Sequence, residues 1–268
     1  MAFAARRTWP STFVVGIDRQ AVLSQALARR AIDAAAEDLS AVADADLIVL
    51  AAPVRQNVAL LRQVAAHASP AAVVTDVGGT KRTMLAAAAA LPRPLTFVGG
   101  HPLGGGARGG FEFATASLFT RRPWIFTLPD GAPPAVRAAA ERLSAFVTGL
   151  GALPTTMSAA DHDRLLAVIS HLPQLAATAL MEVVGTTVAS KGLRLAGQGL
   201  VDTTRLAASP ADVWRDICLT NADEIGRALD LLIERLSDLR GDLHRTEVVD
   251  AVFDHAARWR AELMKGRE

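Results

Sequence analysis

The sequence predicts an α/β domain built on a parallel sheet, followed by an all-helical region. Three observations lead to this prediction. Short apolar runs alternate with helix-like stretches over the first half of the chain. These runs are apolar throughout, as expected of parallel strands that are covered on both faces. Beyond Ser158 the strand-like runs stop, and stretches rich in alanine and leucine continue to the C-terminus.

The predicted elements follow one another in a regular order. A first helix is predicted at Met1–Arg7. Strands are predicted at Thr12–Asp18, Asp46–Pro53, Ala71–Asp76, Leu95–Gly99, Trp124–Pro129 and Gly151–Met157. Helices between them are predicted at Gln20–Arg30, Gln56–Ala68, Thr80–Ala90 and Pro134–Leu150. We place a domain boundary near Met157, between residues 1–157 and residues 158–268.

The second region contains helix signals only. Ser158, with Asp161 three residues later, is predicted to start a long helix that ends at the glycines from Gly192 onward. Ser209 is predicted to cap the next helix, with Pro210 in its first turn. Two more helices lead to the C-terminus. Their apolar stripes predict burial against a partner.

Composition excludes several classes of protein. The 28 basic and 27 acidic residues give a net charge of +1, which offers no attraction to nucleic acid or to a membrane surface. Cys218 is the single cysteine, so neither an internal disulfide nor a cysteine metal site is expected. No uninterrupted apolar run reaches the roughly 18 residues that span a bilayer. We therefore expect a cytoplasmic protein without a metal centre.

The segment from Thr96 to Gly106 has the most distinctive local pattern. An apolar run ends in Gly99 and Gly100 and is followed by His101, a proline and three more glycines. Glycine lets the backbone approach a ligand closely, and histidine is the side chain best suited to proton transfer near neutral pH. The carboxyl end of a strand is also where α/β sheets place their chemistry. A surface turn with an incidental histidine is the competing interpretation.

An acidic residue at the end of an early strand suggests a dinucleotide site in a Rossmann-like sheet. Asp18 is suited to accept hydrogen bonds from the adenosine ribose, although a turn or helix-capping aspartate is the simpler reading of this residue alone. Arg19 leaves a 2′-phosphate possible. The Gly-x-Gly-x-x-Gly loop that should precede Asp18 by roughly 20 positions is absent, as is its strand. Either the natural chain begins upstream of Met1, which we favour, or the loop has been lost.

Several segments together resemble the prephenate/arogenate dehydrogenase family, and they occur in the family's order. They are Val15–Arg19, Ala45–Val54, Thr75–Gly78 with Lys81, Gly100–Gly105, Leu118–Phe119, Asp161–Arg164, Ser170–Pro173, Thr204–Arg205 and Trp214–Ile217. The resemblance implies a nucleotide-binding domain followed by an all-helical domain that forms a homodimer. It also implies oxidation of a cyclohexadienol at C4 with NAD or NADP, and loss of the ring carboxylate as carbon dioxide, in tyrosine biosynthesis.

The resemblance assigns roles to particular residues. His101 matches the catalytic histidine, and Arg205 matches the arginine that binds a substrate carboxylate. Trp214, His171 and Gln174 fall at substrate-site positions, although core packing is an open alternative for Trp214 and His171. His162 is expected to be structural, at the domain junction. The cofactor positions implied are Asp18, Arg19, Ala52, Pro53, Asp76 and Gly78.

The chain departs from the family at four polar positions of the implied site. Gly79 stands where the family usually has serine, Gly106 and Ala107 where it has threonine and glutamate, and Gln174 where it often has histidine. Three hypotheses follow. The chain is a prephenate or arogenate dehydrogenase with a sparse site, or a relative that acts on 4-amino-4-deoxyprephenate, or a non-catalytic dimeric binding protein.

Overall fold

A computed structural model of the chain describes residues 1–92, 95–104 and 110–265. Gly106 and Ala107, which depart from the family pattern, lie outside the described residues. The strands are β1 Val15–Gly16, β2 Ala34–Ala35, β3 Leu47–Leu50, β4 Val73–Asp76, β5 Thr96–Pro102, β6 Pro123–Thr127 and β7 Leu153–Met157. The α-helices are α1 Ala2–Thr8, α2 Gln20–Ala28, α3 Val54–His67, α4 Arg82–Ala89, α5 Pro134–Gly149, α6 Ala159–Leu166, α7 Leu172–Leu193, α8 Gln198–Thr203, α9 Ala211–Thr220, α10 Ala222–Gly241 and α11 Thr246–Lys265.

The main sheet has five strands in the order β3-β4-β5-β6-β7. Strands β3, β4 and β5 are parallel, which confirms the Rossmann-like fold class. β6 runs antiparallel to β5, and β7 is parallel to β6. The reversal has a simple cause. In the described part of the β5–β6 connection there is only a 3₁₀ turn, Phe111–Phe113, and no crossover helix of the kind that parallel neighbours need.

The first predicted strand is largely wrong in extent and burial. Of Thr12–Asp18 only Val15–Gly16 pairs, with Ala34–Ala35, in a separate two-stranded sheet. Phe13 is 70% exposed, Val15 41% and Ile17 40%. An apolar run is buried only when other elements cover it, and here a two-residue strand is its partner in the described sheet.

Helices cover both faces of the main sheet. On one face α1 and α5 pack over the sheet, with Val98, Trp124 and Phe126 in the core. On the other face α3 and α4 pack against a core that includes Val74 and Phe97. Neighbouring strand residues therefore point to opposite faces, which is why the strands are apolar throughout.

Helices α6 and α7 form one long stretch with an irregular middle. Ser158 caps α6 as predicted, since its Oγ accepts a hydrogen bond from the Asp161 N–H at 3.0 Å. A π-helical turn, Ala167–His171, separates α6 from α7. Ser209 does not cap α9: its hydroxyl donates to Oε1 of Gln174 at 3.1 Å instead.

The same stretch bears on the expectation about membranes. Within residues 159–193, 18 consecutive residues are apolar enough on average to cross a bilayer, because a few polar residues do not lower the average far. Length and composition are the only support for such a span. Buried polar side chains, among them Asp163 and His171, lie on this stretch and bond to other parts of the protein.

The chain falls into two compact units, Met1–Ala222 and Asp223–Glu268. Both sides of the predicted boundary near Met157 lie within the first unit, and that boundary stays a prediction. Within the first unit, α6 contacts α4 and β6. The end of the sheet is thereby placed beside the first helices that follow it.

Candidate active site

A buried ion pair organises the carboxyl ends of β4 and β5. The Lys81 ammonium contacts Oδ2 of Asp76, and both side chains are fully buried. The same oxygen accepts the Gly78 N–H at 2.9 Å, and Oδ1 accepts the Gly100 N–H at 3.1 Å. Asp76 thus joins the turn after β4 to the residue that precedes His101. Its carboxylate serves this structural role within the fold.

The two glycines before His101 are required by close packing. A Cβ on Gly100 would lie 2.6 Å from the Asp76 carbonyl oxygen, and one on Gly99 would lie 2.4 Å from Oγ1 of Thr127. Such contacts would push β5 away from its neighbours. The Gly-Gly pattern therefore keeps β5 close to β4 and β6 and fixes where His101 leaves the sheet.

Three polar side chains form a chain of contacts that starts at His101. Nδ1 of His101 lies 2.9 Å from Nε2 of His162, and Nδ1 of His162 lies 2.8 Å from Oδ1 of Asp163. His162 and Asp163 are fully buried in α6, whereas His101 is half-buried at the end of β5. The strand and the helix are therefore joined through the imidazole predicted to be catalytic.

Asp163 is held by donors on three sides. Its Oδ1 accepts the Lys81 N–H at 2.8 Å, and its Oδ2 accepts the N–H and Nε–H of Arg82 at 3.0 and 3.2 Å. Nδ2 of Asn221 donates to the Asp163 carbonyl at 2.8 Å. Sequence reasoning missed Asp163, Arg82 and Asn221. The only sequence feature that pointed to Asp163 was the Asp161–Arg164 segment of the family resemblance. Nothing in that segment shows which of its carboxylates is buried.

Burial and neighbouring charges favour neutral imidazoles in this cluster. The pKa of His101 is held well below its ordinary value by burial, and next by the positive charge that His162, Lys81 and His171 carry or can carry. Burial also lowers the pKa of His162, against the opposing hydrogen bond to Asp163. Burial alone would raise the pKa of Asp163, but its hydrogen bonds lower it, so Asp163 is ionised. A neutral His101 is the form that can accept a proton.

His171 and Trp214 lie together on the other side of Asn221. Nδ2 of Asn221 lies 3.3 Å from Nδ1 of His171, and the rings of His171 and Trp214 meet edge to face at 5.9 Å. Burial lowers the pKa of His171 to about 4. The neutral ring accepts from Asn221 at Nδ1, which leaves an N–H at Nε2.

Gln174 supports the segment that carries Arg205. Its Nε2 donates to the Leu206 carbonyl at 2.7 Å, and its Oε1 accepts from Ser209. The Gln174 side chain is buried, whereas Arg205 is exposed at the start of a 3₁₀ turn, Arg205–Ala208. Gln174 is therefore placed to position Arg205, and its role as a direct substrate ligand stays a prediction.

The predicted cofactor residues lie at the ends of three strands: β1, β3 and β4. Asp76 and Gly78, at the end of β4, belong to the buried ion pair and its hydrogen bonds. Asp18 and Arg19 are exposed after β1, and Oδ1 of Asp18 accepts the Arg19 N–H at 2.6 Å. Ala52 and Pro53 lie between β3 and α3, where the Ala52 N–H donates to Oδ1 of the buried Asn57 at 3.0 Å. This geometry leaves the Asp18 carboxylate open to a ribose. Their role in cofactor binding stays a prediction.

Gly78 and Gly79 follow β4 in different surroundings. A Cβ on Gly78 would lie 2.9 Å from Oδ2 of Asp76, so a side chain there would press on the buried ion pair. A Cβ on Gly79 would lie 3.4 Å from Cδ1 of Ile217, at ordinary contact distance. A serine would therefore fit at residue 79 beside an apolar side chain of α9.

Comparison with known proteins gives matches over nearly the whole chain. Residues 1–152 match the family described as prephenate dehydrogenase, nucleotide-binding domain. Residues 158–255 match prephenate dehydrogenase, dimerization domain. A prephenate dehydrogenase of Bacillus subtilis (strain 168) is 34% identical over 251 residues, which is 90% of this chain and 66% of that protein. The chain thus spans slightly less than two thirds of that relative's length.

Two solved structures have similar folds. The prephenate dehydrogenase of A. aeolicus, in complex with hydroxyphenyl propionate and NAD⁺, has a TM-score of 0.87 at 26% identity, over 98% of this chain and 93% of that one. The arogenate dehydrogenase of Synechocystis has a TM-score of 0.80 at 26% identity, over 98% and 94% of the two chains. Both likenesses include the helices that follow the sheet.

Proposed function

The chain belongs to the prephenate dehydrogenase family, and from that membership we propose that it oxidises prephenate or arogenate with NAD. The observation that carries the proposal is the place of His101. It is a half-buried imidazole held neutral at the end of β5, with its Nδ1 engaged by His162. Such a group is suited to take a proton from a hydroxyl.

The reaction is an oxidation coupled to decarboxylation. A bound nicotinamide would accept the hydride that leaves C4 of the ring. His101 takes the proton of the C4 hydroxyl as the C4–O bond becomes a carbonyl. The C–C bond to the ring carboxylate then breaks, carbon dioxide leaves, and the electron pair of that bond completes the aromatic ring. The C4 carbonyl becomes a phenolate oxygen in this step and takes the proton back from His101, which gives the phenol. The products are 4-hydroxyphenylpyruvate from prephenate and tyrosine from arogenate.

Substrate binding is assigned to Arg205 with His171 and Trp214. The exposed guanidinium of Arg205 offers two parallel N–H groups to a carboxylate. The neutral His171 offers an N–H, and Trp214 packs against its ring. These assignments are supported by the match of each residue to the family pattern.

The fit to a dinucleotide is partial. The exposed Asp18 suits the ribose hydroxyls, and Arg19 next to it keeps NADP open as an alternative to NAD. No Gly-x-Gly-x-x-Gly loop precedes Asp18 in this sequence, so the residues before β1 do not supply the usual cradle for a pyrophosphate.

A second candidate substrate is 4-amino-4-deoxyprephenate. Gly79 favours it, because the hydroxyl that the family usually offers at this position is missing and a side chain there would meet the apolar Ile217. A C4 amine needs different neighbours from a C4 hydroxyl. Loss of one buried hydrogen-bond partner costs about 1–3 kcal/mol, which is enough to change substrate preference.

We further propose a cytoplasmic homodimer formed through the helical region. Large apolar side chains are exposed on α10 and α11, including Leu231 at 65%, Phe253 at 69% and Trp259 at 66%. Several large exposed apolar side chains on neighbouring stretches of sequence are a feature of protein interfaces. The match of residues 158–255 to a dimerization domain supports the same proposal.

The proposal is tested by a substrate panel. The protein is incubated with prephenate, arogenate or 4-amino-4-deoxyprephenate at several millimolar NAD or NADP, and the absorbance of the reduced nicotinamide is followed. Turnover of prephenate or arogenate is expected. Turnover of the amino substrate alone would establish the second candidate. A protein that neither turns over any of them nor binds nucleotide in a calorimeter would be a binding protein.

A further inference from the structure

We propose that His162 and Asp163 are positioning residues that fix the tautomer of His101, so that its Nε2 is the nitrogen left to take the substrate's proton. Asp163 is buried and can only accept hydrogen bonds, His162 lies between the two groups, and His101 follows at the edge of the sheet. The consequence for turnover rests on the proposed function, whereas the tautomer itself does not.

The first step is set by Asp163. Its two oxygens accept N–H groups of Lys81 and Arg82, and these bonds keep it ionised. An ionised carboxylate has no proton to donate. Nδ1 of His162, 2.8 Å from Oδ1, must therefore carry a proton and donate it to this bond.

The second step passes this constraint to His101. The neutral form of His162 has one ring proton, and that proton is at Nδ1, so Nε2 carries only a lone pair. At 2.9 Å the opposing Nδ1 of His101 must then be the donor. A neutral His101 with its proton at Nδ1 has a bare Nε2. The carboxylate of Asp163 therefore decides, through one intervening ring, which nitrogen of His101 acts as the base.

The hydrogen bonds from His101 through His162 to Asp163 also stabilise His101 after it has taken up a proton. Besides burial, the titratable groups that lower the pKa of His101 are His162 from α6, Lys81 from the turn before α4, and His171 from the π-helical turn. The positive charge of Lys81 disfavours a charged imidazole, but the carboxylate of Asp76 partly neutralises that charge. The acceptor at His162, backed by Asp163, stabilises the imidazolium through the Nδ1–H bond. Loss of this acceptor is expected to lower the pKa of His101 further.

Two substitutions at His162 separate positioning from packing. H162N keeps a side-chain donor near Asp163 and removes the acceptor beside His101. H162Q places an amide oxygen near the position of Nε2 and keeps that acceptor. If His162 only fills space, the smaller asparagine and the larger glutamine need not differ in this way. H244Q, on an exposed histidine, serves as the matched control.

The test combines ¹⁵N NMR of histidine-labelled protein with kinetics on the proposed substrates. The wild-type spectrum at pH 7 should show His101 with its proton at Nδ1. H162N should shift it toward the Nε2–H tautomer, reduce kcat at least about 10-fold, and move the acid limb of the kcat/KM profile to lower pH. H162Q should keep the wild-type tautomer of His101, and its kcat should fall less than that of H162N.

A wild-type spectrum with the proton at Nε2 of His101 would overturn the proposal, even if neither variant folds. Equal losses of kcat in H162N and H162Q, with unchanged pH profiles, would also overturn it. If the wild-type protein turns over none of the substrates, the proposed function fails. The tautomer assignment is then still decided by the wild-type spectrum, so the two failures are distinguishable.

Discussion

Nδ1 of His101 lies 2.9 Å from Nε2 of His162, and this contact ties the end of β5 to the first helix after the sheet. His162 is fully buried, whereas His101 is half-buried. One side of the His101 ring is therefore fixed by the protein. We propose that the other ring nitrogen, Nε2, acts on the substrate.

Replacement of His101 by asparagine tests its role as the base. Asparagine Nδ2 can keep a bond to His162, but the amide has no basic nitrogen to take a proton. We expect kcat to fall at least about 10²-fold with little change in KM. H67N, on an exposed histidine of α3, should keep wild-type kinetics. A loss below about 10²-fold in H101N would remove His101 from the proton transfer.

Replacement of Arg205 by lysine tests carboxylate binding. Lysine keeps the charge but loses the planar pair of N–H groups, so one charge-assisted hydrogen bond is lost. We expect KM for prephenate to rise about tenfold or more, with kcat changed by less than about threefold. The control is R194K, an exposed arginine after α7. An unchanged KM in R205K would place the substrate carboxylate elsewhere.

Replacement of Lys81 by methionine tests the buried ion pair. The variant leaves the Asp76 carboxylate buried without its cation, so the free energy of unfolding should fall by about 3–5 kcal/mol in urea titrations. The double variant D76N/K81M should recover a large part of this loss, since asparagine can still accept from Gly100. R164M, in an exposed pair with Asp161, should lose less than about 1 kcal/mol. Equal losses in K81M and R164M would contradict the assignment.

The stability of the protein should depend on pH through His171. Burial lowers its pKa from 6.5 to about 4, so the folded protein keeps this ring neutral while the unfolded chain takes up a proton. As the pH falls from 6.5 toward 4, the unfolded state is favoured by an amount that reaches about 3 kcal/mol. His101 and His162, also shifted downward, act in the same direction.

The variant H171N isolates this contribution. Asparagine can accept from Asn221 and does not titrate, so the free energy of unfolding should fall less between pH 7 and pH 4.5 than in the wild-type protein. Urea unfolding at both pH values measures the difference. The same decrease in both proteins would contradict a neutral buried His171.

The elements that the sequence predicted well are those with a strong local signal. The apolar runs of β3, β4 and β5 and the helices between them lie close to their predicted positions. The extent of β1 depends on what covers it, and the reversed direction of β6 depends on the connection, so neither is encoded in a local pattern. Burial and strand direction are properties of the assembled sheet.

The candidate site divides in the same way. His101 was singled out by the glycines around it, and those glycines are needed for the close approach of β5 to its neighbours. Asp163, Arg82 and Asn221 come from distant parts of the chain and meet only in the fold. Gln174 shows what the sequence could not predict. Its departure from the family pattern is visible in the sequence, but only the structure shows that its amide bonds to the segment that carries Arg205.

We propose that this chain oxidises and decarboxylates a cyclohexadienol with His101 as the base. The most direct test incubates prephenate, and separately arogenate, with excess NAD and measures reduced nicotinamide and released carbon dioxide in the same sample. The wild-type protein should form the two in equal amounts from one of these substrates, and H101N should form neither at a comparable rate. No reduced nicotinamide from either substrate, or an H101N rate equal to that of the wild type, would contradict the claim.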